Sequence, residues 1–234
     1  MSKLNMLYEG KAKKVYKTEK ENEYIVEYKD DATALNGLKK GTISDKGIVN
    51  NKLSAIIFKI LEEKGIETHL IELLNDRETL VKAVEILPLE VIVRNIAAGS
   101  ISKRLGIEEG TVLKKPLLEL CYKNDELGDP FISEDHIEIL NLATPKEVEI
   151  VKENALKINE VLIEFFKGIN LKLVDFKIEF GRYDGRVILA DEISPDTCRL
   201  WDVNTNKKMD KDRFRRDLGD AESTYQEVLK RASK

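Results

Sequence analysis

The sequence predicts an α+β fold of two lobes, and three observations carry that prediction. The first third of the chain is built of short, strand-like runs. Helical periodicity is concentrated elsewhere, so strands and helices are segregated rather than alternating as β-α-β units. No repeat and no Pro/Gly/Ser-rich linker cuts the 234 residues into independent parts, and that length suits two lobes sharing a core.

Residues 7–17 read as strand, glycine turn and strand, and residues 24–28 (YIVEY) as another strand. A helix is expected over 46–64, because Leu53, Ile56, Ile57, Ile60 and Leu61 fall on one face and Gly65 supplies a stop. Residues 80–86 and 89–94 read as strands broken by Pro88. The stretch 100–142 is mixed and loop-rich. Thr144-Pro145-Lys146-Glu147 is a capping box with proline at the first helical position. Val148, Val151, Ala155, Ile158, Leu162 and Phe165 then recur at helical spacing until Gly168. Strands follow over 171–180 and 187–193, and one last helix is expected over 212–232.

Hydrophobic residues make up 42% and charged residues 35% of the chain, with a net charge of -4. No basic stripe suggests a nucleic-acid partner. No apolar run reaches the roughly 20 residues of a membrane span, and the N-terminus opens no apolar signal core. Cys121 and Cys198 match no metal-ligand spacing and read as free thiols. The expectation is a soluble, cytoplasmic protein. His69 and His136, the only histidines, have no partner by spacing.

Four constellations carry chemistry. In Gly10-Lys11-Ala12-Lys13-Lys14-Val15, the glycine permits close backbone approach to a phosphate. Strand alternation then puts Lys11, Lys13 and Val15 on one face. That face suits a nucleotide, and equally a solvated basic edge strand. Next, the run from Ile86 to Ser100 delivers Arg94 at a strand end and leads through small residues to a helix start. A phosphate between Arg94 and Ser100, or a salt-bridged strand end with an ordinary cap, fits that pattern.

The third constellation is Val174 to Gly181. Alternation places Val174, Phe176, Ile178 and Phe180 on one face, and Asp175, Lys177 and Glu179 on the other. A two-residue Asp184-Gly185 turn would pair Glu179 with Ala190 and send Asp191 to the opposite face. A bulged three-residue turn would pair Arg182 with Arg186 and bring Asp191 opposite Lys177, with Glu179 on the diagonal. Two carboxylates within reach of one Mg²⁺ favour the bulged turn, which is the expectation; a surface ion-pair ladder is the alternative. The fourth constellation, Ser194 to Trp201, offers Arg199 as an anion clamp, with Arg215 downstream facing a substrate carboxylate.

Together these segments resemble the SAICAR synthetase (phosphoribosylaminoimidazole-succinocarboxamide synthase) family. The match runs from Leu7-Tyr8-Glu9-Gly10-Lys11 to Asp212-Arg213-Phe214-Arg215. It includes P-L-E-V-I-V-R-N-I-A-A-G-S at 88–100, L-V-D-F-K-I-E-F-G at 173–181, the 46–52 segment, Lys123-Asn124-Asp125 with Asp129-Pro130, and Asp191-Glu192 with Ser194-Pro195-Asp196. The resemblance implies a β-rich ATP-binding lobe over 1–87, similar to that of kinases and ATP-grasp enzymes. It implies a mixed substrate and metal lobe over 88–234 with a closing C-terminal helix.

It also implies a reaction: ATP phosphorylates the carboxylate of a carboxyaminoimidazole ribonucleotide, and the L-aspartate amine displaces phosphate. On that reading Gly10, Lys11, Ala12, Lys13, Val15 and Lys123 contact ATP, and the strand through Lys82, Val84 and Ile86 contacts adenine. Glu179 and Asp191 hold Mg²⁺. Arg94, Ser100, Arg199, Asp129 and Arg215 bind substrate, and Lys177 and Asp175 are catalytic. Asn36, in the 33–37 loop, stays outside the chemistry. A homodimer is expected from the family. A phosphotransferase without aspartate dependence and a nucleotide-binding regulatory module are the competing functions.

Overall fold

The computed structural model describes residues 2–34 and 39–234; position 36 lies outside the described residues. The first strands are β1 (Met6–Glu9), β2 (Lys13–Lys17) and β3 (Glu23–Tyr28), followed by the hairpin β4 (Asp31–Ala34) and β5 (Lys39–Thr42). Helix α1 (Lys46–Glu63) comes next, then β6 (Leu70–Leu73) and β7 (Glu78–Lys82). These strands form an antiparallel five-stranded sheet in the order β1-β2-β3-β7-β6.

The second sheet contains β8 (Glu85–Ile86) and β9 (Leu89–Ile96), then, after α2 (Ser100–Leu105), β10 (Val112–Tyr122) and β11 (Phe131–Ile132). Helices α3 (Glu134–Ile139) and α4 (Pro145–Gly168) precede β12 (Leu171–Tyr183), β13 (Arg186–Ala190) and β14 (Cys198–Asp202). The path β11-β10-β9-β12-β13 is antiparallel, and β14 and β8 also pair with the long strand β12. Helices α5 (Asp212–Arg215) and α6 (Ala221–Ala232) close the chain.

Ala83 and Val84 carry the chain from one sheet to the other, since β7 pairs in the first and β8 in the second. Gly181 makes this crossing possible: a Cβ there would lie 2.8 Å from the Val84 Cβ. One apolar core runs beneath both sheets, joining Leu53, Ile57 and Leu61 of α1 to Val151, Ile158 and Leu162 of α4 and to Phe176, Ile178 and Phe180 of β12. The α4 capping box forms as expected: the Thr144 hydroxyl accepts from the Glu147 N–H, the Glu147 carboxylate accepts from the Thr144 N–H at 2.8 Å, and Pro145 sits in the first turn.

Three expectations are corrected. The hairpin turn is the tight one: Glu179 pairs with Ala190, Tyr183 pairs with Arg186, and Asp184 and Gly185 both take positive φ (49° and 73°). Such a turn matches the strand twist, which favours it over the bulged form. A register shift between Leu173 and Asp175 takes Val174 away from Phe176, into a small cluster with Ala98 and Trp201. Finally, the last helix is broken between α5 and α6, where Asp217, Gly219 and Asp220 adopt left-handed φ.

Candidate active site

The two sheets meet at Lys13 and Asp191. Lys13, on β2, is ion-paired to Asp191 and lies 3.1 Å from Glu192, just beyond β13. The tight turn would by strand alternation point Asp191 away from Glu179. The strand ends at Ala190, however, and Asp191 takes φ 60°, so alternation no longer governs its side chain. Burial pushes the Asp191 carboxyl up, but Lys13 and Lys177 outweigh it and hold the group below the usual carboxylate range. Burial likewise pulls Lys13 down, and Asp191 and Glu192 more than restore it.

On β12, the Lys177 ammonium donates to Glu90 at 2.7 Å and to Glu179 at 2.9 Å. The other Glu179 oxygen accepts from Lys123. Burial opposes the charge on Lys177, yet Glu179, Asp191 and Glu90 together keep its pKa raised. Glu179 and Asp191 thus share Lys177 and Lys123 as cationic neighbours. Lys11 reaches across to Asp125 at 2.7 Å. Asp129 accepts from the Asn124 N–H at 2.9 Å and so shapes the loop that carries Lys123 and Asp125.

A third group lies in one row across three strands. Asp175 is the register partner of Arg94 on β9 and of Arg199 on β14. It accepts from both guanidiniums at 2.9 Å and is 2% exposed. Arg94, equally buried, also donates to Glu119 at 2.6 Å and to the Ser100 hydroxyl at 3.0 Å. Arg199 donates to Asp212 at 3.0 Å. Its Nη2 has no hydrogen-bond partner among the described residues and lies against Gly99, where a Cβ would come within 2.5 Å. Ser100 is exposed and Arg199 partly so, whereas Arg94 and Asp175 are buried.

The remaining expected residues are spread around this centre. The Gly10 N–H donates to the Lys13 carbonyl and the Ala12 carbonyl accepts from Lys29, both at 2.8 Å, which fixes the turn before β2. Val15 packs against Val26, Tyr28 and Val81. The Lys82 ammonium is turned to the Thr68 carbonyl at 2.9 Å, leaving its backbone, with Val84 and Ile86, along the crossing between sheets. Arg215 is exposed at the end of α5. Two cavities, of about 490 and 370 Å³, lie elsewhere, lined by Lys3 and Arg77 and by Thr42 and Phe214 respectively.

Sequence reasoning missed a buried network. Lys46, 1% exposed, pairs with Asp196, which also accepts from Asn50 at 2.8 Å and Tyr225 at 2.6 Å. This ties α1 and α6 to the loop after Glu192. A signal was present: a lysine in the first turn of a helix opposes the helix dipole, so it needs a carboxylate from elsewhere. Glu192, 2% exposed, accepts from Ser194 at 2.6 Å and belongs to the same wall.

Among the described residues no three His, Cys, Asp or Glu side chains gather as a metal cage. Glu179 and Asp191 nevertheless fit Mg²⁺, which takes one or two carboxylates and completes its shell with phosphate oxygens and water. No helix is long and apolar enough to cross a membrane.

Comparison with known proteins agrees with the motif resemblance. The SAICAR synthetase family model matches residues 6–232. The phosphoribosylaminoimidazole-succinocarboxamide synthase of Caldanaerobacter subterraneus subsp. tengcongensis is 63% identical over 231 residues, covering 99% of this chain and 98% of its own length. The crystal structure of the Ehrlichia chaffeensis synthase superposes with a TM-score of 0.96 at 49% identity, over 98% of each chain. A SAICAR synthetase in complex with ADP gives 0.94 at 46% identity, over 98% of this chain and 97% of that one. With nearly its whole length matched, the chain belongs to the SAICAR synthetase family.

Proposed function

We propose that the cleft between the two sheets carries out the family's ligation with the residues gathered there. The reaction is ATP-dependent formation of SAICAR in purine biosynthesis. The γ-phosphoryl group passes to the carboxylate of the carboxyaminoimidazole ribonucleotide, giving an acyl phosphate and ADP. The amine of L-aspartate attacks the acyl carbon, phosphate leaves, and the amine loses a proton to give the amide.

Such chemistry needs positioning and charge neutralisation more than an enzyme nucleophile. In this reading Lys11, Lys13 and Lys123 hold the ATP phosphates, the Gly10–Ala12 backbone lies beneath them, and Val15 with the Lys82–Ile86 crossing flanks the base. Glu179 and Asp191 hold Mg²⁺, which when bound neutralises phosphate oxygens. Lys177 balances charge at the transferring phosphoryl group. Ser100 and Arg199 take the ribonucleotide's 5'-phosphate, and Arg94 and Asp175 fix their orientation. Asp129 shapes the Lys123 loop, and Arg215 meets a substrate carboxylate.

The reading includes an ATP lobe over 1–87, a substrate and metal lobe over 88–234, and a cytoplasmic homodimer. The observation that supports it most directly is the convergence of Lys13, Lys123 and Lys177 on Glu179 and Asp191 from both sheets. ADP release is the test, measured with MgATP and the ribonucleotide, with and without L-aspartate. Release that requires all three, with product mass matching the succinocarboxamide, supports the ligase. Release independent of aspartate favours the phosphotransferase.

A further inference from the structure

Lys13 faces two carboxylates that are adjacent in sequence but held in different ways. It is ion-paired to Asp191 and lies 3.1 Å from one oxygen of Glu192. Among the described residues the Asp191 side chain has no hydrogen-bond donor other than Lys13, and its backbone has already left the strand.

Glu192 is fixed by its own loop. It is buried, and its second carboxylate oxygen accepts from the Ser194 hydroxyl at 2.6 Å. The Ser194 oxygen accepts in turn from the Asp196 N–H at 3.1 Å. The Thr197 hydroxyl donates to the Glu192 carbonyl at 3.3 Å, and the Ile193 N–H donates to the Ser54 hydroxyl of α1 at 2.9 Å. Lys46, Asn50 and Tyr225 anchor Asp196. Both Glu192 oxygens are therefore engaged, whereas Asp191 is free to turn.

An ammonium has three N–H donors on a flexible stem. Here Asp191 and Glu192 take two of them, and the Tyr28 ring lies 5.4 Å from the Lys13 nitrogen. In the ligase reading, on which this inference rests, Asp191 turns to Mg²⁺ and Lys13 to the ATP phosphates. We infer that Glu192 is a positioning residue that keeps its contact with Lys13 when nucleotide binds and so aims the ammonium at the phosphates. Asp191 is the partner that leaves, and Glu192 the partner that stays. Ser194 supports Glu192 by holding its other oxygen.

The sign of the effect separates this role from plain charge. A carboxylate beside phosphates repels them, so neutralising one with no orienting role would tighten nucleotide binding. Titration calorimetry of ADP with Mg²⁺ makes the test in wild type, Glu192→Gln, Lys13→Met and the double variant. Glu192→Gln, which keeps an acceptor for Ser194, should weaken ADP binding about tenfold, as expected when a charge-assisted contact is misplaced. In the Lys13→Met background the same change should weaken it by less than about twofold, because Glu192 acts through that lysine. Ser194→Ala, which leaves both charges in place, should weaken ADP binding about threefold. The apparent affinity for Mg²⁺ at saturating ADP should stay within about twofold in Glu192→Gln.

Unchanged or tighter ADP binding in Glu192→Gln overturns the positioning role. A loss that persists in the Lys13→Met background together with weaker Mg²⁺ binding also overturns it, and makes Glu192 a metal ligand. If Glu192→Gln does not fold, Ser194→Ala decides, and unchanged ADP affinity there overturns the inference. A Lys13→Met protein that binds ADP as tightly as wild type overturns instead the assignment of Lys13 to the phosphates, and the reading on which the inference rests.

Discussion

Lys13 in the first sheet is ion-paired to Asp191 at the end of the β12–β13 hairpin in the second. The proposed function assigns Lys13 to the ATP phosphates and Asp191 to the Mg²⁺ on them, and in this structure the two groups neutralise each other. On that proposal, MgATP would exchange the partners: lysine to phosphate, carboxylate to metal. Asp191→Asn should cut turnover by about 100-fold or more. Folding should be nearly unaffected, because asparagine tolerates the left-handed φ at this position and Lys13 keeps Glu192 at 3.1 Å. Single-turnover kinetics beside thermal unfolding checks both halves. Near-normal turnover removes Asp191 from the metal site.

How Asp191 reaches this position shows what the sequence can and cannot disclose. Local signals were legible: the Thr144–Glu147 capping box, Pro145, and the apolar stripe of α4 are contained within a few residues. The membership of Lys13, Lys177, Glu179 and Asp191 in one centre was legible from motifs. The route was not. Asp184-Gly185 forms the tight turn that its composition favours, and the chain then abandons strand geometry at a single residue with positive φ. The bulge beside Val174 and the pairing of Lys46 with Asp196 depend on strands and loops far apart in sequence, so no local pattern encodes them. The break before α6 likewise shows in sequence only as Gly219 among charged residues.

Asp175 is ion-paired to both Arg94 and Arg199, so the proposed function gives it the orientation of two arginines. Asp175→Asn keeps the shape but leaves two guanidiniums facing a neutral amide in a buried row. Breaking a buried pair in this way costs about 3–5 kcal/mol. Differential scanning calorimetry should show a large fall in Tm, and the KM for the ribonucleotide should rise. A general base would behave differently: kcat would drop and lose its acid limb while Tm held.

Glu147 ties the start of α4 to β12, accepting from Arg182 at 2.5 and 3.1 Å as well as from Thr144. The Arg182 hydrogen bonds, outweighing partial burial, hold its pKa down to about 2. A carboxylate depressed in the folded state contributes stability that is complete above its unfolded pKa of about 4.3. That contribution is lost as pH falls from there towards 2. Glu147→Ala should lower stability at pH 7 by about 1–2 kcal/mol. It should also flatten the decline between pH 4.3 and 2, as read from urea midpoints across that range.

Gly99 and Gly106 both have φ near +65°, but Gly106, with ψ 22°, sits in the left-handed helical region, whereas Gly99, with ψ -125°, lies outside it and is also crowded. At Gly106 nothing lies within 4 Å of an added Cβ, so alanine there should cost about 1 kcal/mol from backbone strain alone and leave the kinetics unchanged. At Gly99 an added Cβ meets the Arg199 guanidinium at 2.5 Å. Arg199 is pinned on its other side by Asp175 and Asp212, so it must either break those contacts or push the 97–100 turn aside. Gly99→Ala should therefore raise the ribonucleotide KM by tenfold or more, on the order expected for losing a charged contact, and should lower Tm more than Gly106→Ala does, since its backbone lies outside the left-handed helical region. If the ribonucleotide KM of Gly99→Ala stays at that of Gly106→Ala, Arg199 is not held against this turn for binding, and the phosphate seat must be built from Ser100 and other groups.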